Sequence, residues 1–369
     1  MSKKHTNRKK KVFRIIVIII VGVLALLALF LCLLAKSYLG KIDYDHDKEA
    51  SAGKQVESSL TDEEILQQLQ EEEVDPSATD SPQEDITQLE SQMEQQLQQE
   101  SEAAPEEETE LLNILLVGSD SRQKGGAGRS DTMILISVND ETERIHMTSI
   151  MRDCYVAIPD KGNNRINAAY ALGGGSLLLD TIETNFAVDV DKYVALDFYA
   201  FVDIVDSIGG VEIDVSEAEI PVLNGYVKEL NKLNGRPQGT YYVTDSGPQL
   251  LNGTQALGYA RIRYVGNGDF QRTERRRTVL TKVFEKVRSM NLLEMNKLLN
   301  VLLPEIKTNL TETEIVSLML KVMTYLEYDL DSLRVPIDGS YQNMRINGMS
   351  VLGVDLKTNQ EAIREFIYN

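Results

Sequence analysis

Twenty consecutive residues near the amino terminus, 15–34, carry no charge. At a helical rise of about 1.5 Å per residue, such a run is long enough to cross a hydrocarbon core of about 30 Å. The apolar region of a cleaved signal peptide is shorter, roughly 7–15 residues, and a small-residue cleavage site follows it. No clear site of that kind follows here. The pattern therefore predicts a retained transmembrane signal-anchor helix over residues 15–35.

The residues that flank this run predict its orientation. Residues 1–14 contain seven Lys or Arg and no acidic residue. Because positively charged flanks stay on the cytoplasmic side of a membrane, residues 1–14 are expected to be a basic cytoplasmic tail. The chain after residue 35 is then outside. The prediction is a single-pass protein of the cell membrane with an extracellular folded domain.

Residues 36–110 are acidic and rich in Gln and Glu, and residues 43–110 carry 23 Asp or Glu against two Lys. Such a composition buries too little apolar surface to offset the entropy of ordering. Four apolar residues at helical spacing nevertheless leave a weak coiled coil open: Ile86, Leu89, Met93 and Leu97. We expect an extracellular stalk that is disordered or partly helical. As a random coil, residues 43–110 would span about 45 Å.

Residues 111–369 have the composition of one folded domain. Short apolar runs typical of buried strands, at 113–118, 132–138 and 144–150, are followed by alternating helix and strand patterns. This alternation predicts an α/β layer fold. Residues 216–250 are rich in Gly, Pro, Asn and Tyr and are expected to form a loose surface excursion.

Composition excludes several classes of function. The formal net charge of −19 argues against a general nucleic-acid binder, since such binding depends on neutralising phosphates. Two cysteines, Cys32 and Cys154, exclude a disulfide framework. His146 is the only histidine after residue 110, and the chain has no G-x-S-x-G, H-E-x-x-H or Walker A pattern. Serine–histidine, zinc and P-loop chemistry are therefore not expected.

Positive charge is concentrated in residues 259–277, where six arginines accompany two acids. Arg261 and Arg263 are two apart, so they would leave the same face of an extended segment. Three more arginines have the spacing of one helix face: Arg272, Arg275 and Arg276. Guanidinium groups grip phosphate through two parallel hydrogen bonds, so this stretch predicts a site for a ligand with several negative oxygens. A solvated, salt-bridged helix is the alternative.

Carboxylates stand where they could complete such a site. Asp120 follows the first predicted strand, and Asp131 opens the second after the glycine-rich loop 125–128. Magnesium takes one or two protein carboxylates and completes its shell with waters and substrate phosphates. The alternative is that these aspartates cap turns. Arg152 and Asp153 stand at the end of the third predicted strand and add another arginine to this site. The alternative is that they form a surface ion pair.

Several blocks in a fixed order give the chain a family resemblance. They read NILLVGSDSR, GRSDTMILISVN, MTSIMRDCYV, RINAAYALGG, VALDFYAFVDIVDSIGGVEIDV, LNGTQALGYARIR and GDFQRTERRR. In these blocks the chain resembles the LytR-CpsA-Psr family of bacterial cell-envelope proteins. The resemblance implies a three-layer α/β/α domain with a central mixed sheet. It also implies a phosphotransferase that moves a glycopolymer, such as teichoic acid or capsular polysaccharide, from a polyprenyl-pyrophosphate carrier to a peptidoglycan hydroxyl.

The resemblance also implies roles for individual residues. Mg²⁺, or Mn²⁺ in its place, would be held by Asp120 and Asp131. The residues implied to grip pyrophosphate are Arg152, Arg261, Arg263, Arg272 and Arg276. Asp269 takes the place of the aspartate of the family's DFxR block. We place Arg152, Asp153 and Asp269 in the catalytic set, with the hypothesis that Asp153 or Asp269 accepts the proton of the acceptor hydroxyl.

Two positions depart from the family pattern. Met151 stands where a proline usually precedes the Arg-Asp pair, and Arg276 stands at the position of a common phosphate-contacting glutamine. Two other functions stay open at this point. One is a non-catalytic, membrane-anchored regulator that binds a polyprenyl phosphate or a wall polymer, and the other is a polyprenyl-pyrophosphate pyrophosphatase.

Overall fold

The computed structural model describes residues 36–45, 79–102, 111–119, 129–263, 265–266 and 268–368. Its strands, in chain order, are β1 (Asp43–Tyr44), β2 (Leu112–Ser119), β3 (Ser130–Asn139), β4 (Arg144–Ile150), β5 (Cys154–Ile158), β6 (Gly162–Arg165), β7 (Lys192–Asp197), β8 (Val211–Val215), β9 (Gly247–Leu251), β10 (Lys307–Thr308), β11 (Asp329–Val335), β12 (Tyr341–Ile346) and β13 (Met349–Val354). Its helices are α1 (Gln83–Glu102), α2 (Asn167–Phe186), α3 (Phe198–Ser207), α4 (Ile220–Leu233), α5 (Gly253–Ala260), α6 (Gly268–Arg288), α7 (Leu292–Leu302), α8 (Glu312–Tyr325) and α9 (Leu356–Tyr368).

The main sheet has the strand order β1-β10-β7-β2-β3-β4-β11 within the described residues. Strands β2, β3 and β4 form an antiparallel meander, while β7 joins β2 and β11 joins β4 in parallel. The sheet is therefore mixed. The three apolar runs predicted as strands are all present, with ends shifted by one or two residues for β2 and β3.

Helices cover both faces of this sheet. Side chains alternate between faces along a strand, so Leu135 and Ile136 point to opposite sides. Leu135 is buried in a cluster with residues of α2 and α9, whereas Ile136 packs in another cluster with Phe284 of α6. The predicted α/β fold with a central mixed sheet flanked by helices is confirmed.

Helix α1 lies within the segment for which a solvated or coiled-coil stalk is expected, yet it packs onto the domain. Ile86 and Met93 are buried in the same cluster as α9 and β13. The Tyr155 hydroxyl donates to Glu90 at 2.9 Å, and the Gln96 amide donates to Asp355 at 3.0 Å. The helical spacing is confirmed, but the apolar stripe is covered by the domain itself. Residues 79–102 are therefore part of the folded unit.

Residues 216–250 differ from the expected loose excursion, because they contain helix α4 and most of strand β9. Pro221 stands in the first turn of α4, where its missing N–H is tolerated. Leu223 and Val227 are buried in a second core cluster with α3, α5 and α6. Strand β9 pairs antiparallel with β8. This region supports the helices beside the candidate site.

None of the helices that the structure describes is long and apolar enough to cross a membrane. The predicted anchor, 15–35, lies outside the described residues.

Candidate functional site

A cleft lies at the ends of two inner strands of the main sheet, where β3 begins and β4 ends. The antiparallel pairing places Met133 opposite Ile150, so residues 131–134 and 149–153 are neighbours there. The first turns of α6 close the third side with Arg272, Thr273 and Arg276. These three groups of residues are called the arginine cleft below.

Asp131 and Arg152 form the central ion pair of the arginine cleft. Arg152 Nη1 donates to Asp131 Oδ1 at 2.7 Å, and the two side chains are 7% and 13% exposed. Arg276 donates to the main-chain oxygen of Asp131, and its Nη2 lies 3.9 Å from Asp131 Oδ2. Burial alone would raise the pKa of Asp131, but the guanidinium groups of Arg152, Arg276 and Arg272 outweigh it and hold the pKa below its ordinary value. Asp131 is therefore ionised at neutral pH.

Asp153 links the arginine cleft to Arg165, a residue to which the sequence patterns give no role. Arg165 Nη1 lies 3.3 Å from Asp153 Oδ1, and Arg152 Nε lies 3.6 Å from the same oxygen. Arg165 ends strand β6 and is 3% exposed. A cation this deeply buried is rare unless it is paired. The available signal is its position in the block RINAAYALGG, which by itself indicates only the start of a helix.

Helix α6 sends its arginines in two directions. Arg272 and Arg276 are one turn apart and line the arginine cleft. Arg275 instead points to the core, with Nε 2.7 Å from Glu219 Oε1 and with its other donors on the carbonyl oxygens of Ile262 and Val265. The prediction that the three arginines share one functional face is wrong for Arg275, which is a structural residue.

Arg261 lies outside the lining of the arginine cleft. It caps the end of α5 with helical angles of φ −92° and ψ −9°, so it does not share a face of an extended segment with Arg263. Its guanidinium lies 4.8 Å from the ring centre of Tyr226, 5.4 Å from that of Phe198, and 3.5 Å from Glu229. Arg263 follows two residues later and is half-buried, and it does not line the arginine cleft either.

Two of the predicted acids cannot be placed in the site. Asp120 lies outside the described residues. Asp269 belongs to the first turn of α6, but its side chain also falls outside what the structure describes.

Arg334 is a second residue that the sequence patterns do not single out. Its guanidinium lies 4.5 Å from the ring centre of Phe270 in the first turn of α6, and Phe270 also packs on Tyr341 at 5.2 Å. Arg334 Nη1 lies 3.9 Å from the sulfur of Met151, the residue that replaces the usual proline. Arg334 thus joins the end of β11 to both the β4 edge and the helix that carries Arg272.

The guanidinium groups define what the arginine cleft can bind. Arg152, Arg272 and Arg276 line the cleft around Asp131, and Arg165 contacts Asp153 beside them. Guanidinium forks that converge in this way suit phosphate oxygens. The fold and the site together define an α/β domain with a binding site for a polyanionic, phosphate-type ligand.

The chain is similar to known proteins along most of its length. The sequence profile of the LytR_cpsA_psr family matches residues 75–366. Regulatory protein MsrR of Staphylococcus aureus is 32% identical over 260 residues, which cover 69% of this chain and 74% of MsrR. The polyisoprenyl-teichoic acid–peptidoglycan teichoic acid transferase TagU of Enterococcus faecalis is 35% identical over 186 residues, or 49% of this chain and 55% of TagU.

A solved structure shares the fold. YwtF (TagT) of Bacillus subtilis with bound octaprenyl pyrophosphate lipid superposes with a TM-score of 0.52 at 25% identity, over 72% of this chain and 93% of that one. The chain belongs to the LytR-CpsA-Psr family, as the ordered blocks predicted. The relatives are named both as transferases and as regulators.

Proposed function

We propose that this protein is a membrane-anchored phosphotransferase that moves a cell-wall glycopolymer from a polyprenyl-pyrophosphate carrier to a hydroxyl of peptidoglycan. The observation that carries the proposal is the arginine cleft, in which Arg152, Arg272 and Arg276 surround the ionised Asp131. The similarity to TagU supports teichoic acid as the class of polymer, and the octaprenyl pyrophosphate bound to YwtF supports a polyprenyl-pyrophosphate carrier. A capsular or other secondary polysaccharide on a polyprenyl-pyrophosphate carrier would be joined to it through the same pyrophosphate linkage.

The guanidinium groups of the arginine cleft suit a pyrophosphate diester. Such a diester carries two negative charges at neutral pH, and its oxygens would accept hydrogen bonds from Arg152, Arg272 and Arg276. Arg261 and Arg263 stay in the proposal as donor-binding residues beyond the cleft, with Arg261 held between Phe198 and Tyr226.

In the proposed reaction the acceptor hydroxyl oxygen bonds to the phosphorus that carries the sugar. The bond from this phosphorus to the bridging oxygen breaks, and the polyprenyl phosphate leaves with the electron pair. Negative charge grows on the bridging oxygen, where Arg152, Arg272 and Arg276 would stabilise it. The hydroxyl proton passes to a carboxylate, for which Asp153 and Asp269 are the candidates.

We propose Mg²⁺ as the cofactor, with Mn²⁺ as a substitute. Asp131 fits the role of a ligand, because it is ionised and its Oδ2 is 3.9 Å from Arg276, beyond hydrogen-bond distance. The second proposed ligand, Asp120, lies outside the described residues. Substrate phosphates and water would supply the remaining ligands, and the ion would withdraw electron density from the phosphate oxygens.

The proposal is tested by reconstituting transfer with the full chain, a lipid-linked teichoic acid precursor and a peptidoglycan oligomer. We expect a peptidoglycan–polymer product, less product with excess chelator, and recovery with Mg²⁺ or Mn²⁺. Arg152→Ala should abolish most of the product. Arg144→Ala is the matched control, because Arg144 stands at the other end of β4 in an exposed pair with Asp331. Donor binding without any product would favour the regulator, and release of the polymer phosphate into water would favour the pyrophosphatase.

A further inference from the structure

The segment directly after the predicted anchor is packed into the domain. Leu39 and Ile42 are buried at 6% and 8% exposure, in a cluster with Leu303 and Leu310. Strand β1 follows and pairs in parallel with β10 at the edge of the main sheet. Residues 36–45 are therefore part of the fold.

Polar contacts fix the end of this segment. The main-chain N–H of Asp45 donates to the carbonyl oxygen of Thr308 at 2.7 Å. The Asp45 carboxylate accepts a hydrogen bond from the hydroxyl of Tyr193, a fully buried residue of β7, and lies 3.3 Å from Lys307 Nζ. The end of the segment is thus hydrogen-bonded to a residue in the interior of the domain.

Contacts with helix α7 give the direction in which the segment runs. The Tyr38 hydroxyl donates to Asn296, and Lys41 donates to Asn300. The segment therefore runs alongside α7 in the same direction. Going back toward Lys36 leads to the start of α7, where Leu293 is 81% exposed.

The run predicted to be the membrane anchor ends close to Lys36 along the chain. The apolar run predicted to cross the membrane ends at residue 34, two residues before Lys36. At about 3.3–3.6 Å per residue, two residues reach at most about 7 Å. A coil of the length expected for the stalk would instead allow about 45 Å.

The residues on both sides of the acidic segment 46–78 are attached to the folded domain. The segment leaves the domain at Asp45 and returns at Asp80, whose carboxylate accepts from the N–H of Gly348 at 2.7 Å. The next residue, Ser81, donates its N–H to the carbonyl oxygen of Arg345 at 2.9 Å. Both ends of the segment are thus attached to the same domain.

We propose that residues 36–45 seat the domain directly on the outer surface of the lipid bilayer, with the start of α7 at the headgroups. The inference rests on the membrane anchor of the proposed function. Because residues 36–45 are packed into the domain, no long flexible tether separates the domain from the membrane. The arginine cleft is then held at a fixed height above the bilayer that contains the lipid-linked donor.

The test measures how close Leu293 lies to lipid. A full-length Cys32→Ser, Leu293→Cys variant carries one accessible thiol, because Cys154 is buried. The thiol is labelled with a fluorophore in vesicles of phosphatidylethanolamine and phosphatidylglycerol that contain a lipid with a nitroxide on its headgroup. We expect strong contact quenching of the label, since the nitroxide acts over short range.

Two insertions of the same twenty-residue Gly/Ser linker form a matched pair. Placed between Ala35 and Lys36, the linker should remove most of the quenching. Placed between Ser51 and Ala52, it should leave the quenching unchanged. The proposal would be contradicted if both insertions had the same effect on quenching, or if the variant without an insertion showed no quenching.

The readout needs neither donor nor acceptor, so it is independent of transfer. Quenching that follows the expected pattern in a protein without transferase activity contradicts the proposed function and supports the seat. Sedimentation with the vesicles shows that each variant is anchored. A chain that stays in the supernatant overturns the anchor and the seat together.

Discussion

Arg275 and Arg276 are adjacent in α6, but alanine substitution should mainly lower stability at Arg275 and mainly lower transfer at Arg276. Arg275 is 3% exposed, pairs with Glu219 at 2.7 Å, and holds the carbonyl oxygens of Ile262 and Val265 at 3.2 and 3.0 Å. Removing one partner of a buried ion pair costs about 3–5 kcal/mol. At roughly 2–4 °C per kcal/mol for a domain of this size, Arg275→Ala should lower Tm by about 6–20 °C.

Arg276 makes fewer contacts that hold the fold together. It donates to the main-chain oxygen of Asp131 and is 12% exposed at the cleft surface. Arg276→Ala should cost about 0.5–1.5 kcal/mol of stability. A charge-assisted hydrogen bond to the donor is worth about 1.5–3 kcal/mol, so transfer should fall about ten- to a hundredfold. Arg276→Lys should recover part of this loss, because the charge remains but the planar fork does not.

The assay for this pair combines thermal unfolding with transfer rates at matched concentrations of folded protein. The expected pattern is a lower Tm with near-normal transfer per folded molecule for Arg275→Ala, and the reverse for Arg276→Ala. If Arg275→Ala kept its Tm and lost transfer, or if the two variants behaved alike, the assignment of the two arginines would be refuted.

Three further outcomes follow from particular contacts. The pKa of Asp131 is depressed in the folded state, so the carboxylate should contribute its full stabilisation above its unfolded pKa of about 3.9 and lose it as the pH falls below that value. The free energy of unfolding should therefore fall less steeply with acidification in Asp131→Asn than in the unmodified protein. Arg334→Ala should weaken donor binding by about two- to thirtyfold in a binding titration, since a cation–π contact worth roughly 0.5–2 kcal/mol positions Phe270. Gly175→Ala would place a β-carbon 2.2 Å from the Tyr193 ring and should destabilise the domain by about 1–3 kcal/mol in denaturant unfolding.

The sequence predicted local elements better than the surfaces that they cover. The stripe that contains Ile86 and Met93 is visible as a helical period, but periodicity does not say which surface buries it. That surface includes β12, β13 and α9, which lie more than 200 residues later in the chain. Helix α4 is hidden in the sequence because Pro221 and Gly225 are typical helix breakers, although proline is well tolerated in a first helical turn.

The residues of the candidate site depend on tertiary contacts in the same way. The approach of α6 to the edge of β3 and β4 brings Arg272 and Arg276 to Asp131 and Arg152, as the family blocks implied. Spacing alone could not separate Arg275 from Arg276, because the partner that turns Arg275 inward is Glu219, 56 residues away. The ion pair of Arg165 with Asp153 and the cation–π contact of Arg334 with Phe270 likewise depend on tertiary packing.

The most direct test of the central claim follows the phosphorus atom that carries the sugar. A lipid-linked donor with ³²P at this position is incubated with the full chain, Mg²⁺ and a peptidoglycan oligomer, and the products are separated. We expect ³²P in the peptidoglycan product and unlabelled polyprenyl phosphate as the second product. Both products should be lost with Arg152→Ala and kept with Arg144→Ala. Label that stays on the lipid, or that appears only on free polymer, would contradict phosphotransfer by the arginine cleft.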